Sequence, residues 1–241
     1  MSIDIPEHYR GLIKHSGTVL EKMLEDRDAV ELVTASHNYL LDFDVLRRAI
    51  INRPEVKVLD AAVKEYQLAL FALASGQYRY AFVGLRLFFE LMLATVQFSA
   101  HEIDYRLWAT DSKDINWHAL IDPQSGVFSK NFIEAFNPNF VDSLKEHSAI
   151  AELVYRECSE FVHGNAGTHA TLPTDIAYHR PTFFAWHRKA ETMRIVIMFI
   201  FCARYMNYIS NIAKNAIEPA AMGVIGYLPA IQAEFSTSPR E

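Results

Sequence analysis

The sequence predicts an all-α protein, a helical bundle that folds as a single domain over residues 1–241. Apolar residues recur every three or four positions along most of the chain, which is the spacing of one helix face. No segment alternates apolar and polar residues between hairpin turns, as the strands of an antiparallel sheet would. The chain has only nine glycines and nine prolines, and 51% of its residues are hydrophobic, enough for one sizeable core.

The N-terminal residues 1–54 are predicted to form a helical extension. Pro6 suits the first turn of a helix that runs to about Glu25. A second helix is predicted from about 28 to 51, with a possible break near residues 37–38.

Residues 55–100 are predicted to form a central antiparallel helix pair. The first helix carries one apolar stripe, and Gly76 then suits the left-handed backbone at a helix end. Because the connection is short, the next helix must run back along the first. Apolar residues cover nearly the whole circumference of this second helix, which predicts the buried centre of the bundle. Arg86 and Glu90 near its middle argue against a membrane span.

The second half of the chain is predicted to contain two further firm helices. Residues 101–140 are rich in turn formers and indicate short helices and loops, before a late helix at about 142–163. A loop of about nineteen residues, 163–181, follows, and loops of that length are uncommon without a function. Pro181 then begins a long C-terminal helix to about 215, and residues 216–241 form a tail.

Composition and motifs exclude several classes of protein. The net charge of −6 disfavours broad binding of duplex nucleic acid. The N-terminus lacks the layout of a signal peptide, and Cys158 and Cys202 read as buried free thiols, so we expect a cytoplasmic protein without membrane contact. No metal, phosphate-loop, dinucleotide or nucleophile-elbow motif occurs, so we expect neither a metal ion nor a cofactor.

The best candidate for chemistry is the pair Arg156 and His163 in the late helix. Seven residues are almost two turns, so both side chains lie on one face, offset by about 20° and separated by roughly 10 Å along the axis. Ser159 lies on the same polar strip, and Glu157 and Asn165 are further supporting candidates. Arginine can bind a phosphate group through two hydrogen bonds, and histidine can transfer protons near neutral pH, so the pair suits metal-free RNA cleavage.

Arg86 and Glu90 are a second candidate pair. They are four residues apart on a very apolar helix, so they can meet on one face. Two interpretations stay open: a structural ion pair, or a pair that orients a site on the neighbouring helix.

The stretch "LVYRECSEFVHGN" resembles the late helix of the HEPN superfamily, and "SGQYRYAFVGLRLFFELML" resembles the apolar helix that precedes it there. The resemblance covers about residues 55–215. It implies an all-α homodimer with an R-x(4–6)-H motif at the interface, and a role in toxin–antitoxin pairs, abortive infection or other antiviral defence. Glu157 departs from the residue types common after the arginine. Arg10 and His15, and also Arg180 and His187, match the same R-x(4–6)-H motif but lie outside this context.

Three functions remain open at the level of sequence. The first is an endoribonuclease in which Arg156 binds the scissile phosphate, His163 transfers protons, and Glu157 and Ser159 position water, His163 or RNA. The second is a non-catalytic adaptor or dimerisation subunit that binds a protein partner, such as an antitoxin or a defence subunit. The third is a small-molecule sensor with a pocket near three tryptophans, Trp108, Trp117 and Trp186.

Overall fold

The computed structural model describes residues 4–236, and within them the chain is all α-helical, as predicted. The helices are α1 (Ile5–Glu25), α2 (Arg27–Ala49), α3 (Val56–Ala74), α4 (Tyr78–Phe98), α5 (Glu102–Trp108), α6 (Trp117–Leu120), α7 (Lys130–Phe136), α8 (Val141–His163), α9 (Ala166–Thr171), α10 (Arg180–Tyr205), α11 (Asn211–Ile225) and α12 (Pro229–Ser236). A 3-10 turn at Pro138–Phe140 leads into α8.

The predicted antiparallel pair is the hairpin of α3 and α4. Gly76 takes a positive φ of 75° at the turn, and the backbone N–H of Gln77 donates to the carbonyl of Ala72 over 2.8 Å. At Gly84 the two helices approach so closely that an added Cβ would lie 3.0 Å from the Cβ of Ala69. The hairpin is therefore held by a local turn at one end and by a glycine contact along its length.

Helix α4 is the centre of the bundle, because α3, α8 and α10 all pack against it. Its side chains are buried on nearly every face, as its all-round apolar composition predicts. Among the described helices it is the one that is long and apolar enough to cross a membrane, and 72% of its most apolar window is buried inside the protein.

The two N-terminal helices differ in how far they join the core. Helix α2 packs against α3, α10 and α11, and it buries Phe43 and Leu46 in the main apolar cluster. It continues through residues 37–38, where a break seemed possible from sequence. Helix α1 buries only Val19 and Met23. Most of α1 therefore lies on the surface.

Of the two loop-rich segments, the one between α8 and α10 contains more helix than its sequence indicates. Residues 101–140 form the short helices α5, α6 and α7, in agreement with the expectation. The stretch between α8 and α10, predicted as a continuous loop, contains the one-and-a-half-turn helix α9. Thr168 on α9 is buried and its hydroxyl donates to the carbonyl of Glu160, so this segment packs back onto the end of α8.

The C-terminal helix is shorter than predicted. It begins at Arg180 and ends at Tyr205, and α11 begins at Asn211 after a turn. The physical reason is local, because the hydroxyl of Ser210 accepts from the N–H of Ala213 and caps a new helix. The predicted tail is also mostly helical: α11 continues through Pro219, and α12 buries Ile231. Residues 237–241 of that tail lie outside the described residues.

Candidate functional site

Helix α8 carries the candidate pair and ends where the sequence predicts. Gly164 follows His163 with a φ of 66°, the left-handed conformation in which glycine is favoured. Arg79 at the start of α4 donates from Nη1 to the carbonyl of Phe161 over 2.8 Å, which satisfies one of the last free carbonyls of the helix. The position of His163 is therefore fixed by a glycine stop and by an arginine from another helix.

The polar strip of α8 faces a cleft of about 1610 Å³. It is lined by α8 along most of its length, by the segment 113–118, by Arg86 and Glu90 of α4, and by the start of α7. The predicted site residues that line this cleft are Arg86, Glu90, Arg156, Ser159, His163 and Asn165. The candidate face therefore looks into a cleft and not onto an open helix surface.

Arg156 and His163 are both exposed in this cleft. Among the described residues, neither side chain has a hydrogen-bond or ion-pair partner. Ser159 between them is half-buried, and its hydroxyl donates to the carbonyl of Tyr155 over 2.8 Å. The arginine and the histidine are thus free to bind a ligand, while the serine is engaged with its own helix.

Arg86 and Glu90 meet, as their spacing predicts, with Nη2 of Arg86 3.1 Å from Oε1 of Glu90. Both also contact Tyr155 on α8: Arg86 donates to the phenolic oxygen, and the phenolic hydroxyl donates to Glu90 over 2.7 Å. The Nε atom of Arg86 is buried without a partner among the described residues. The ion pair therefore belongs to a three-residue network that joins α4 to the motif helix.

The ring of Tyr155 is held on both faces. Trp117 stacks on it with ring centroids 3.5 Å apart and planes at 1°, and the guanidinium of Arg86 lies 4.7 Å from its centroid. Burial is the main reason that the pKa of Tyr155 lies above its ordinary value. The hydroxyl therefore stays protonated at neutral pH and keeps its hydrogen bond to Glu90.

Glu157 lies away from the cleft. It points to α10, where its carboxylate pairs with the ammonium group of Lys189. One position on a helix is a rotation of 100°, which is enough to turn Glu157 away from the strip that carries Arg156. The role suggested from sequence, to position water, His163 or RNA, therefore has no geometric support.

The charges along the cleft are mixed. Basic side chains on its walls are Arg86, Lys113, Lys130, Lys145 and Arg156, and acidic ones are Glu90, Asp114, Glu152 and Glu160. Lys113 pairs with Asp104 over 2.7 Å, and Lys130 pairs with Glu134 over 3.3 Å. Lys145 and Arg156 have no partner within residues 4–236, so they are the cations available to an anionic ligand.

Three residues near the site have no role in the sequence interpretation: Tyr155, Arg79 and His169. Tyr155 lies four residues before Ser159 on the inner edge of the strip, and that spacing was the available signal. Nη2 of Arg79 lies 3.2 Å from Nε2 of His169, ninety residues away, beside Gly164. No local pattern indicates a contact of that range.

The other sequence candidates do not form a second centre. No group of three or more metal-ligating side chains occurs in the described part of the chain. Of the three tryptophans, Trp117 lines the cleft, Trp186 is fully buried and donates to the carbonyl of Ala81, and Trp108 packs against Phe98. Cys158 and Cys202 are free and buried, and burial raises the pKa of Cys158 to about 12.

The fold and site together define an all-α protein with a large cleft of mixed charge along one helix, in which the side chains of Arg156 and His163 have no partner among the described residues. Comparison with protein-family models, curated proteins and solved structures finds no significant match to this chain.

Proposed function

We propose that this protein is a metal-independent endoribonuclease of the HEPN type, acting in the cytoplasm in prokaryotic defence or toxin–antitoxin biology. The observation that carries the proposal is the state of Arg156 and His163. Both line the same cleft, both are exposed, and neither has a partner among the described side chains. Most exposed arginines among the described residues are paired with acids, so an unpaired arginine on the same helix face as an unpaired histidine suits a ligand that carries phosphate.

The proposed reaction is transesterification of RNA. His163 accepts the proton of a 2′-hydroxyl, the 2′-oxygen bonds to the adjacent phosphorus, and the bond from phosphorus to the 5′-oxygen breaks. The leaving 5′-oxygen takes a proton, which gives a 2′,3′-cyclic phosphate and a 5′-hydroxyl. Arg156 binds the phosphate oxygens as negative charge develops on them.

The separation of the two side chains shapes the proposal. Their backbones lie roughly 10 Å apart along the helix axis, although helical side chains lean towards the N-terminus, so His163 leans towards Arg156. A homodimer would supply a second arginine and a second histidine. The proton for the 5′-oxygen would then come from the partner subunit's His163.

The network of Arg86, Glu90 and Tyr155 supports α8 beneath this strip. Tyr155 directly precedes Arg156 in the chain, and its ring is fixed between Trp117 and Arg86. We assign these residues a positioning role, because their polar groups bind each other and hold the helix that carries the free pair.

The experiment is incubation of the purified chain with single-stranded RNA in the presence of EDTA. We expect cleavage to continue in EDTA and to leave 2′,3′-cyclic phosphate ends. Arg156→Lys keeps the charge but loses the two-pronged geometry, so we expect it to slow cleavage at least tenfold. Arg188→Lys, a substitution on α10 outside this cleft, is the matched control. Cleavage that stops in EDTA, or an Arg156→Lys enzyme with full activity, would overturn the mechanism.

A second function, a non-catalytic adaptor of a defence complex, is favoured by one observation. Glu152 and Glu160 are exposed on the same strip as Arg156, and acidic groups repel RNA but suit a protein partner with basic residues. An intact RNA substrate, together with loss of partner binding on Glu152→Lys and Glu160→Lys substitution, would favour this function over cleavage.

A further inference from the structure

Helix α1 exposes an apolar stripe that the rest of the described chain leaves uncovered. Its members are Ile5, Tyr9, Ile13, Leu20 and Leu24, and their exposed fractions run from 39% for Leu20 to 75% for Ile13. These positions fall within about 100° of one another around the helix axis. Contiguous exposed apolar side chains of this kind mark an interaction surface, whereas single ones do not.

We propose that α1 pairs with the α1 helix of a second copy of this chain, antiparallel and about a two-fold axis near residues 14–15. This register places Leu20 opposite the partner's Tyr9 and Leu24 opposite the partner's Ile5. Each pair is repeated by the symmetry, so one stripe covers the other, as the self-complementary contact of a two-fold dimer requires.

The charges beside the stripe fit the same register. Arg10 and Glu21 lie on one flank, because eleven residues are three turns with an offset of about 20°. Antiparallel pairing brings Arg10 beside the partner's Glu21 at two equivalent places. Within the described chain, Arg10 has only the exposed pair with Glu7 at 3.4 Å, and such exposed pairs contribute little.

Gly17 is a further indication that a helix of a second copy packs against α1. It lies in the interior of α1 near the proposed axis, on the side of the stripe, and a Cβ added there would meet nothing within 4 Å. Glycine in a helix interior costs about 1 kcal/mol relative to alanine, and no contact among the described residues requires it here. A partner helix crossing at this point would use the missing side chain to approach closely.

A membrane surface is a poorer occupant for the same stripe. Basic residues on the flanks of α1 are balanced by acids, including Glu7, Glu21 and Glu25, whereas helices that bind anionic membranes are rich in lysine and arginine. The first half of the stripe also borders a groove of about 510 Å³ that includes Arg79, the arginine that holds the end of α8. The proposed pairing of two α1 helices thus lies on the same side of the chain as the end of α8. It uses neither Arg156 nor His163.

The test is the molar mass of the full chain in solution, measured by light scattering over a range of concentrations. We expect a dimer, a shift of its dissociation by at least tenfold to weaker binding in Ile13→Glu, and no shift in Ile103→Glu. The two isoleucines are equally exposed, at 75%, so the second variant controls for loss of a surface apolar group. Arg10→Glu and Glu21→Arg should each weaken the dimer, and the double substitution should restore it.

Three results would overturn the α1 pairing: a wild-type chain that stays monomeric at its highest soluble concentration, a dimer unaffected by Ile13→Glu, or a monomer that binds phosphatidylserine vesicles through Ile13. The outcome can be told apart from that of RNA cleavage. A monomeric Ile13→Glu protein that still cleaves RNA would leave the roles of Arg156 and His163 intact and exclude only the partner subunit's His163 as the proton donor. An inactive wild-type dimer would leave the pairing intact.

Discussion

At the scale of single residues, Tyr155 connects the candidate site to the core. Its hydroxyl accepts from Arg86 and donates to Glu90, and its ring lies between Arg86 and Trp117. The side chain of Glu90 is only 13% exposed, so a lost donor cannot be fully replaced by water there.

We therefore predict that Tyr155→Phe lowers the free energy of unfolding by about 1–2 kcal/mol, because it leaves a half-buried carboxylate short of a donor. Urea denaturation measures the change. Tyr80→Phe is the matched control, since Tyr80 is 67% exposed and makes no hydrogen bond among the described residues, and we expect it to change stability by less than about 0.5 kcal/mol. Equal effects of the two substitutions would show that the network contributes nothing.

His187 gives the protein a pH dependence that its sequence does not reveal. Its ring is buried, its Nδ1 lies 2.7 Å from the hydroxyl oxygen of Ser36, and its Nε2 has no partner within residues 4–236. Burial lowers its pKa to about 4, from an ordinary value of 6.5. The unfolded chain therefore binds a proton more readily than the folded one between these two values.

The sign of the effect follows directly. The contribution of His187 to the free energy of unfolding is complete above about pH 6.5 and decreases as the pH falls. The decrease levels off below about pH 4, after a total loss of about 3 kcal/mol from this residue. The lowered pKa of His147, caused mainly by burial, adds a loss of the same sign. We predict that His187→Gln flattens the pH dependence of urea unfolding in this window, while the remaining slope contains the effect of His147 and, towards pH 4, that of Asp26 and Asp122, whose pKa values are lowered by their hydrogen bonds. An unchanged slope would contradict the assignment.

Residue contacts were predictable only where they are local. Arg86 and Glu90 are four apart on one helix, so their pairing follows from helix geometry. Tyr155 joins that pair from sixty-five residues away, and Arg79 reaches His169 from ninety. Such contacts depend on how helices pack, which the spacing along the chain does not contain.

At the scale of helices, the hairpin of α3 and α4 depends on one close approach. The Cβ of any residue at position 84 would lie 3.0 Å from the Cβ of Ala69, closer than ordinary contact. Glycine is needed there for space, whereas at Gly11 an added Cβ would meet nothing within 4 Å.

We predict that Gly84→Leu destabilises the protein by at least about 2 kcal/mol, because the larger side chain forces α3 and α4 apart. Gly11→Ala provides the opposite control and should stabilise the protein by about 0.5–1 kcal/mol, since alanine favours the helix and clashes with nothing. Thermal unfolding measures both. A Gly84→Leu protein as stable as the wild type would show that the hairpin is packed more loosely than described.

Helix ends were predictable where one residue decides them. Gly164 ends α8 in the left-handed conformation, and Gly76 does the same at the hairpin turn. The end of α10 at Tyr205 was missed because the apolar pattern continues past it, and the cap that starts α11 depends on a single hydroxyl, that of Ser210. Periodicity detects helices well, but it passes over a short turn between two helices that share an apolar pattern.

At the scale of the whole molecule, the helical spacing of apolar residues predicts the fold class. The proposed function depends on the cleft along α8, which that spacing does not predict. The buried position of α4 follows from apolar residues on all its faces. Segment 113–118 lines the cleft together with α8, and the sequence of that segment has no regular pattern that predicts its position. The sequence could therefore identify Arg156 and His163 as neighbours on one helix face, but not the segment that lines the cleft together with that helix.

A second arginine–histidine pair in the chain provides an internal control for the proposed catalytic role of His163. Arg10 and His15 also fit the R-x(4–6)-H motif, with four intervening residues where Arg156 and His163 have six, but His15 lies exposed on α1, outside the cleft. If the motif acts through its place in the cleft, only one of the two histidines should matter.

The most direct measurement is the rate of RNA cleavage by His163→Ala beside that of His15→Ala, with folding checked by circular dichroism and unfolding midpoint. Removal of an essential proton-transfer group typically costs 10²–10⁴-fold in rate. We predict a loss of at least about 100-fold for His163→Ala and an unchanged rate for His15→Ala, with both proteins folded as the wild type. Cleavage by folded His163→Ala at the wild-type rate would contradict the account.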